Sequence, residues 1–414
     1  MKGYSFLSLA RQALGGHKGW PPVWRSPEPK KNYDVLIIGA GGHGLSTAYY
    51  LAKKYGVKNI AVLDKGWLGG GNTGRNTQVT RSNYFWPQSA AFFDHSLKLY
   101  EGLSHELNFN VMLSQRGVLT LAHSKHEMEG IRRWANAIKI NNVDAEVLTP
   151  AEVKKMVPLI DLDCRFPVHG GFVQRRGGVS RHDAVAWGYA RAASALGVDI
   201  IQQCEVKGFN IQDGRVIGVE TTRGSIGAGK VSFSVAGHTS HVASMAGFRV
   251  PVSSMQLQAM VSEPIKPCLD TMLTSSVIHV YVSQSDRGEL IFGGGADVYN
   301  SYAQRGGFPV LQENVAALLE LIPAFSRLRL MRQWAGIVDI TPDTSPLMGH
   351  TPVKNLYFSG GWGTGGYKAI PAGGDTMAYT IANDRPHPLI EDFGLDRFRT
   401  GRLVDEGAAS GVAH

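Results

Sequence analysis

The sequence has few of the features that mark secreted, membrane or metal-bound proteins. Its three cysteines, Cys164, Cys204 and Cys268, are widely spaced and form no CxxC pair, which argues against a disulfide framework or a zinc site. No run of about 18 apolar residues predicts a membrane-spanning helix, and Arg11 interrupts the short apolar stretch near the N-terminus. We therefore expect a cytoplasmic protein with no membrane partner.

The charge pattern argues against nucleic acid as a partner. The formal net charge is +8, but lysine and arginine do not cluster with interleaved aromatic residues. The excess of positive charge suits an anionic cofactor or substrate, and it equally suits a merely basic surface. A length of 414 residues with 43% apolar content is typical of a folded protein with about two domains.

Glycine, by contrast, is abundant, and its 50 residues cluster at a few places. The first cluster, Gly39-Ala40-Gly41-Gly42-His43-Gly44, fits G-x-G-x-x-G between an apolar strand at 35–38 and a helix. A second strand at 60–63 leads into Asp64, about 20 residues after Gly44. This β-α-β unit predicts a dinucleotide, with its diphosphate at the helix N-terminus and Asp64 on a ribose hydroxyl.

Two further segments favour FAD over NAD. Asp64 disfavours a 2′-phosphate, which leaves NAD and FAD as alternatives. Residues 69–84, GGGNTGRNTQVTRSNY, are rich in glycine and asparagine where a nicotinamide enzyme usually continues to its third strand. A second glycine loop, GGWGTGGYK at 360–368, lies near the C-terminus. We interpret both segments as wrapping a ribityl chain and an isoalloxazine ring.

The chain is expected to fold as an α/β protein with a discontinuous Rossmann-like FAD-binding domain and a mainly antiparallel β-sheet substrate domain. The glycine-loop units at 34–64, 182–237 and 355–382 are expected to share one sheet. Helices are predicted at about 125–140, from Pro150 after a Thr149 cap, and from about 182 to Gly197. The predicted domains are an extended N-terminal arm at 1–32, an FAD-binding domain at 33–115, 176–250 and 335–400, and a substrate domain at 116–175 and 251–334.

From about Pro27 onwards the chain resembles the beta subunits of heterotetrameric sarcosine oxidases, within the FAD-dependent amine and D-amino acid oxidases. The segments that carry this resemblance are SPEPKKNYD, GAGGHGLSTAYYLA, KGWLGGGN, RSNY, SQRGVL, RHDAVAWGYAR, IHVYVSQ, AGIVD and GWGTGGYK. Two of them, RHDAVAWGYAR and GWGTGGYK, are specific to this subunit. The fold implied by the resemblance is that of D-amino acid oxidase.

The resemblance implies an oxidoreductase with two flavins. Noncovalent FAD would oxidise sarcosine to glycine, and covalent FMN would pass the electrons to oxygen, giving hydrogen peroxide. The one-carbon unit would go to tetrahydrofolate on a partner, in a heterotetramer with alpha, gamma and delta subunits. The alternative is a stand-alone secondary amine or amino acid dehydrogenase with one noncovalent flavin. A flavin-stabilised assembly subunit without a redox role is a further alternative, and the substrate stays open among sarcosine, dimethylglycine and related secondary amines.

The resemblance also assigns residues. His182, in RHDAVAW, matches the histidine that carries FMN, and the spacing of Ser180 and Asp183 predicts a capped helix start there. For FAD, the matching positions are Gly42, His43, Asp64, Asn72, Thr77, Val79, Val206, Gly363 and Gly366. Val79 and Val206 are equally explained as ordinary core residues.

A cationic pair is expected to hold the substrate. Arg81 and Lys368 match positions that bind the substrate carboxylate in related amine oxidases, and Lys368 is alternatively a contact of FMN or of both groups. His279 is either a wall of the substrate pocket or a packed strand residue. The cysteine that holds FAD covalently in monomeric relatives is absent from RQWAGIVDITPD, so covalent FAD is not expected.

Overall fold

The computed structural model describes residues 5–18 and 22–407, and in these residues it contains ten α-helices and eighteen β-strands. The helices are α1 Phe6–Leu14, α2 Gly42–Tyr55, α3 Pro87–Glu106, α4 Lys125–Ile140, α5 Pro150–Met156, α6 His182–Ala195, α7 Thr239–Met245, α8 Phe308–Leu321, α9 Ile370–Asn383 and α10 Arg397–Thr400. The strands are β1 Asn32–Ile38, β2 Ile60–Leu63, β3 Val79–Thr80, β4 Val118–Ala122, β5 Glu146–Leu148, β6 Gly170–Gln174, β7 Gly178–Val179, β8 Asp199–Ile201, β9 Val206–Gln212, β10 Arg215–Thr221, β11 Gly224–Phe233, β12 Ser253–Pro264, β13 Met272–Ser275, β14 Val280–Gln284, β15 Glu289–Asn300, β16 Leu330–Ile340, β17 Leu347–His350 and β18 Leu356–Gly360.

The first sheet has a parallel centre, with strand order β17-β18-β11-β1-β2-β8. β1 pairs in parallel with both β11 and β2, and β2 pairs in parallel with β8. All four residues of β2 are buried, because helices and loops cover both faces of a parallel sheet. The predicted strands at 35–38 and 60–63 are confirmed, as is the shared sheet of the three glycine-loop units.

The second sheet is mainly antiparallel, with strand order β16-β12-β15-β14-β13-β4-β6-β5. Among its neighbouring strands, β13 and β4 pair in parallel. The predicted combination of a Rossmann-like sheet with a mainly antiparallel sheet is therefore confirmed. β16 begins at Leu330 and runs past residue 335, where the sequence places a domain boundary, so the predicted boundaries stay predictions.

A two-stranded ribbon joins distant parts of the chain. β3 and β7 pair antiparallel, with Val79 opposite Val179 and Thr80 opposite Gly178. The ribbon is extended by hydrogen bonds from the Ser180 amide to the Gln78 carbonyl (3.0 Å) and from the Arg181 amide to the Val111 carbonyl (3.0 Å). The start of α6 is thus fixed to the segment that follows the first glycine cluster.

Two sequence expectations need correction, and one helix was not anticipated. Phe6–Leu14 is helical, and the Ser5 hydroxyl caps this helix by accepting from the Ser8 amide. The prediction of an extended arm is therefore wrong for these residues. Residues 1–4 and 19–21 of the arm lie outside the described residues. Arg181 occupies the N-cap position of α6, and no side chain among the described residues makes a capping hydrogen bond there, so the predicted cap by Ser180 is wrong. The twenty-residue α3 was not predicted, although Pro87 occupies a favourable first position.

The other helix predictions hold. α4 spans the predicted 125–140. α5 begins at Pro150 with a capping box in which the Thr149 and Glu152 side chains each bind the other residue's backbone amide.

No helix within residues 5–18 and 22–407 is long and apolar enough to cross a membrane. The predicted cytoplasmic location stays a prediction.

A buried ion pair fixes the segment that follows α9. Arg397 donates from Nε and Nη2 to the two oxygens of Asp343 (2.7 and 2.9 Å), and both side chains are buried. Asp343 also accepts from the amide of Val404 (3.2 Å), and its carbonyl accepts from the Glu406 amide (3.0 Å). This pair anchors the C-terminal segment against the loop before β17.

Asp343→Asn should destabilise the protein strongly, because the substitution leaves a buried guanidinium without its counter-charge. Breaking such a pair costs about 3–5 kcal/mol, and urea unfolding of both proteins measures the difference. Asp396→Asn is the matched control, since Asp396 pairs with Arg399 at the exposed surface, where ion pairs contribute little. Equal losses of stability in the two variants would contradict this assignment.

Candidate active site

One large cavity of about 740 Å³ collects most of the residues predicted from the sequence. It is lined by residues at the carboxyl ends of β1 and β2 and by residues from strands of the second sheet. The predicted residues that line it are Gly39, Gly41, Gly42, His43, Asp64, Asn72, Thr77, Val79, Arg81, Val206, Gly363, Gly366 and Lys368. Gly44 and His182 do not line it.

The first glycine cluster forms a turn that other residues would not fit. Gly39 has φ +105°, and a Cβ there would lie 2.3 Å from the Ser234 carbonyl oxygen. A Cβ on Gly44 would lie 2.0 Å from the carbonyl oxygen of Gly39. Gly44 therefore permits close packing of α2 on the turn, which explains why it lies behind the cavity wall.

Close packing of α2 against α9 brings the two glycine loops together. A Cβ on Gly373 would lie 2.6 Å from His43 Nδ1, and one on Gly374 would lie 2.2 Å from Ser46 Oγ. The Ser46 hydroxyl donates to the carbonyl of Ile370 (2.9 Å) at the start of α9. The loop at 361–368 consequently lies beside the first turn of α2.

His43 is a buried, neutral residue at this junction. Its Nε2 donates to the Gly366 carbonyl (2.8 Å), and its ring stacks on Trp362 with centroids 4.3 Å apart. Burial lowers the pKa of His43 to about 4, although the Gly366 carbonyl opposes the shift. Among the described residues, its Nδ1 is buried with no hydrogen-bond partner. Trp362, which the sequence analysis did not select, completes this wall.

Asp64 supports the glycine turn from the end of β2. Its Oδ2 accepts from the Ala40 amide (2.7 Å) and its Oδ1 from the Gly66 amide (2.8 Å). Burial nevertheless raises the pKa of its carboxyl above the usual value. Each carboxylate oxygen has a further lone pair, so these contacts leave acceptor capacity for a ligand hydroxyl.

The segment after Asp64 lines the middle of the cavity. The Asn72 side chain pairs with the Ile337 backbone of β16, accepting from its amide (2.9 Å) and donating to its carbonyl. Thr73, which the sequence analysis missed, accepts from the amide of Gly42 (2.9 Å). Thr77 hydrogen-bonds Tyr281, so this segment ties the first sheet to the second.

Asp339 holds the C-terminal glycine loop and was not predicted. Its carboxylate accepts from the Gly361 amide (2.5 Å) and the Thr239 hydroxyl (3.4 Å), and its carbonyl accepts from the Gly363 amide (2.8 Å). Burial raises the pKa of this carboxyl to about 7. A single acid within an apolar strand, IVDI, carries no motif that sequence reasoning recognises.

Arg81 and Lys368 lie in the same part of the cavity. The Arg81 guanidinium lies over the Tyr84 ring, 4.7 Å from its centroid, and donates to Asn83 Oδ1 (2.7 Å). Lys368 is 7% exposed and donates from Nζ to the Thr364 carbonyl (2.8 Å). Burial, with a smaller contribution from Arg81, holds the pKa of the Lys368 ammonium well below its usual range.

Val206 and His279 both line the cavity, as two residues for which the sequence left a wall and a packed position open. Val206 is buried at the start of β9 and also lines the cavity. Its position therefore fits both sequence interpretations, a cavity wall residue and an ordinary core residue. His279 lines the cavity from the turn before β14, where it is exposed and has φ +55°. Of its two predicted positions, the structure favours the pocket wall.

His182 lies outside the cavity, as the first residue of α6. Its Nδ1 is buried and has no hydrogen-bond partner among the described residues. Burial is the main reason that the pKa of His182 lies below its usual value, with Asp183 opposing the shift and Arg181 adding to it. The imidazole is therefore held in its neutral, nucleophilic form next to the Arg181–Asp183 ion pair.

The low pKa of His43 predicts a loss of stability in acid. As the pH falls from about 6.5 to about 4, the unfolded chain binds a proton at His43 that the folded chain does not. The contribution of neutral His43 to the free energy of unfolding is therefore complete above pH 6.5. About 3 kcal/mol of that free energy is lost as the pH falls to about 4. His43→Gln should flatten the stability profile over this range, as measured by urea unfolding at several pH values. His126→Gln, on the exposed side of α4, is the control, and a wild-type slope in the His43 variant would contradict the prediction.

Comparison with known proteins identifies the family to which the chain belongs. A profile described as FAD dependent oxidoreductase matches residues 34–380. Among solved structures, L-proline dehydrogenase from P. horikoshii superposes with a TM-score of 0.86 at 26% identity, covering 91% of this chain and all of that one. Glycine oxidase from Geobacillus kaustophilus shares the fold with a TM-score of 0.81 at 19% identity, over 89% of this chain and 99% of that one.

Much nearer relatives are found among bacterial proteins. Sarcosine oxidase subunit beta of Rhodobacter capsulatus is 54% identical over the full length of both chains. Sarcosine oxidase subunit beta of Rhizobium meliloti is 52% identical over 97% of each chain, and that of Arthrobacter sp is 54% identical over 95% of this chain and 97% of its own. With this identity along nearly its whole length, the chain belongs to the sarcosine oxidase beta subunits, within the FAD-dependent oxidoreductases.

Proposed function

We propose that the chain is the catalytic beta subunit of a sarcosine oxidase with two flavins. FAD is bound noncovalently in the cavity, FMN is attached to His182, and the partners are alpha, gamma and delta subunits. Sarcosine is demethylated to glycine, oxygen is reduced to hydrogen peroxide, and the one-carbon unit passes to tetrahydrofolate on a partner. The observation that carries the proposal is that one cavity joins a dinucleotide turn to a cationic pair, while His182 lies outside it.

The residues of the cavity fit FAD. The turn at Gly39 leaves no room for a Cβ, so the backbone can approach a diphosphate at the start of α2. Asp64 has acceptor capacity for a ribose hydroxyl, and the loop held by Asp339 and His43 forms the opposite wall. When bound, FAD would accept a hydride from the substrate methyl group, and FMN would pass electrons to oxygen.

The cationic pair suits a small amino acid. The positive charge of Arg81 beside the buried Lys368 disfavours a second positive charge there. A substrate carboxylate between the two side chains would offset this repulsion and favour the protonated amine of Lys368. Binding would then orient a secondary amino acid with its N-methyl group towards the interior of the cavity.

His182 fits covalent attachment of a second flavin. Its ring is half-buried, neutral and at the first turn of α6, where the helix dipole further disfavours imidazolium. Because the residue lies outside the cavity, a group attached to it would occupy a place separate from FAD. Arg181 adds positive charge next to it, although Asp183 already pairs with that side chain.

Lys368→Met should weaken substrate binding. Losing a charged contact to a carboxylate costs about 1.5–3 kcal/mol, or about 10- to 150-fold in affinity. The measurement is anaerobic reduction of the bound FAD as a function of sarcosine concentration. Lys65→Met, at the Asp64 end of the same cavity, is the matched control and should leave the affinity for sarcosine unchanged. An equal loss in both variants would contradict the assignment of Lys368.

The two-flavin assignment is tested by acid precipitation of the chain co-expressed with its partner subunits. We expect an adduct of the mass of FMN on the peptide containing His182, with FAD released into the supernatant. His182→Asn should abolish the adduct, whereas His169→Asn should not. Release of all flavin from the wild-type chain would instead support the single-flavin dehydrogenase.

A further inference from the structure

We propose that Tyr367 is a positioning residue that fixes the start of α6, and with it His182, relative to the cavity. In this role its hydroxyl sets how fast the flavin becomes attached to His182. The inference rests on the proposed function, because it concerns the covalent flavin assigned there. It goes beyond that proposal by identifying the side chain that links the two flavin sites.

The Tyr367 hydroxyl makes two hydrogen bonds to Ser180. It lies 2.8 Å from the Ser180 carbonyl oxygen and 2.6 Å from Ser180 Oγ. A carbonyl only accepts, and a phenol has one proton, so Tyr367 donates to the carbonyl and the Ser180 hydroxyl donates to Tyr367. Both residues are buried, and Ser180 precedes His182 by two positions. Burial also raises the pKa of Tyr367 far above neutrality, so the donor keeps its proton.

The backbone of Tyr367 and Lys368 is held from the other side by α3. The Tyr367 carbonyl accepts from the Tyr100 hydroxyl (2.7 Å), and the Lys368 carbonyl accepts from the Ser96 hydroxyl (2.7 Å). Both Tyr367 and Lys368 line the cavity. A rigid wall of the cavity is therefore bonded directly to the residue that leads into the His182 helix.

The hydrogen bonds between Tyr367 and Ser180 differ from the other contacts that hold the start of α6. The pairing of β7 with β3 and the amide hydrogen bonds of Ser180 and Arg181 join main-chain atoms to main-chain atoms. The Tyr367–Ser180 contact instead brings a side chain of the C-terminal glycine loop to the same segment. Together they define where the His182 ring lies relative to the cavity.

Attachment depends steeply on such placement. Attachment would join a His182 ring nitrogen to a flavin methyl carbon, with loss of the imidazole N–H and of one methyl C–H. The two protons and two electrons released would reduce the flavin ring, and oxygen would take them up as hydrogen peroxide. A misplacement of about 1 Å from the reactive geometry can cost about 100-fold in rate.

The experiment uses the complex of full-length chains purified from riboflavin-limited cells, to which FMN is added. Attachment is followed as flavin that stays with the acid-precipitated protein. Tyr367→Phe should slow attachment about tenfold, the factor expected when two buried hydrogen bonds are lost.

Two further variants separate positioning from general destabilisation. Ser180→Ala removes one of the two hydrogen bonds, so it should slow attachment less and add nothing in the Tyr367→Phe background. Tyr50→Phe is the matched control, because it removes a buried hydroxyl that contacts Tyr189 on the same helix, α6, away from Ser180. Its attachment rate should equal that of the wild type.

The outcomes distinguish the two proposals. An adduct that forms at the wild-type rate in Tyr367→Phe overturns the role of Tyr367 and leaves the two-flavin enzyme intact. Equal slowing in Tyr50→Phe, or an additive loss in the double variant, overturns it as well. Absence of any adduct in the wild-type complex overturns both proposals together.

Discussion

The close crossing of α2 and α9 is the constraint on which the site depends. Glycines at 373 and 374 let α9 approach His43 and Ser46 so closely that no Cβ fits between the helices. This approach places the C-terminal loop beside the first glycine turn and lets Gly366 accept from His43. Without it, two loops from opposite ends of the sequence would not form one cavity wall.

The cost of this arrangement is burial of titratable groups. His43 is held neutral with a buried nitrogen, and Asp339 holds the loop at 361–363 with a carboxyl whose pKa is raised to about 7. Such groups are tolerated where backbone amides or carbonyls satisfy most of their hydrogen bonds. They cluster around the candidate FAD cavity, as is common for functional sites.

The end of the cavity that holds Arg81 and Lys368 has a different electrostatic character. Lys368 is buried near Arg81, and the low pKa of the lysine follows from desolvation and like charge. A cavity that concentrates positive potential favours a carboxylate and disfavours a second cation. His182 lies outside the cavity, and Tyr367 of the cavity wall is hydrogen-bonded to Ser180, two residues before it.

The sequence by itself determined the first β-α-β unit, because each of its features depends on residues close together in the chain. Gly39, Gly44 and Asp64 have roles that a local turn, a helix start and a strand end define. The capping box of α5 and the buried strand β2 were predictable for the same reason. The resemblance to sarcosine oxidase beta subunits added residues that no local pattern reveals, and their roles stay proposals.

Only the tertiary structure decided which distant residues meet. The Asp339 contacts with the glycine loop, the His43–Trp362 stack and the Ser180–Tyr367 pair join segments far apart in sequence. α3 was missed because its buried residues extend round much of its surface, which blurs the amphipathic pattern. The S-x-x-D pattern at Ser180 predicted a cap, but α6 begins one residue later than that pattern requires, with Arg181 at the N-cap position. The Ser180 side chain instead contacts the hydroxyl of Tyr367, a residue that only the tertiary fold brings near.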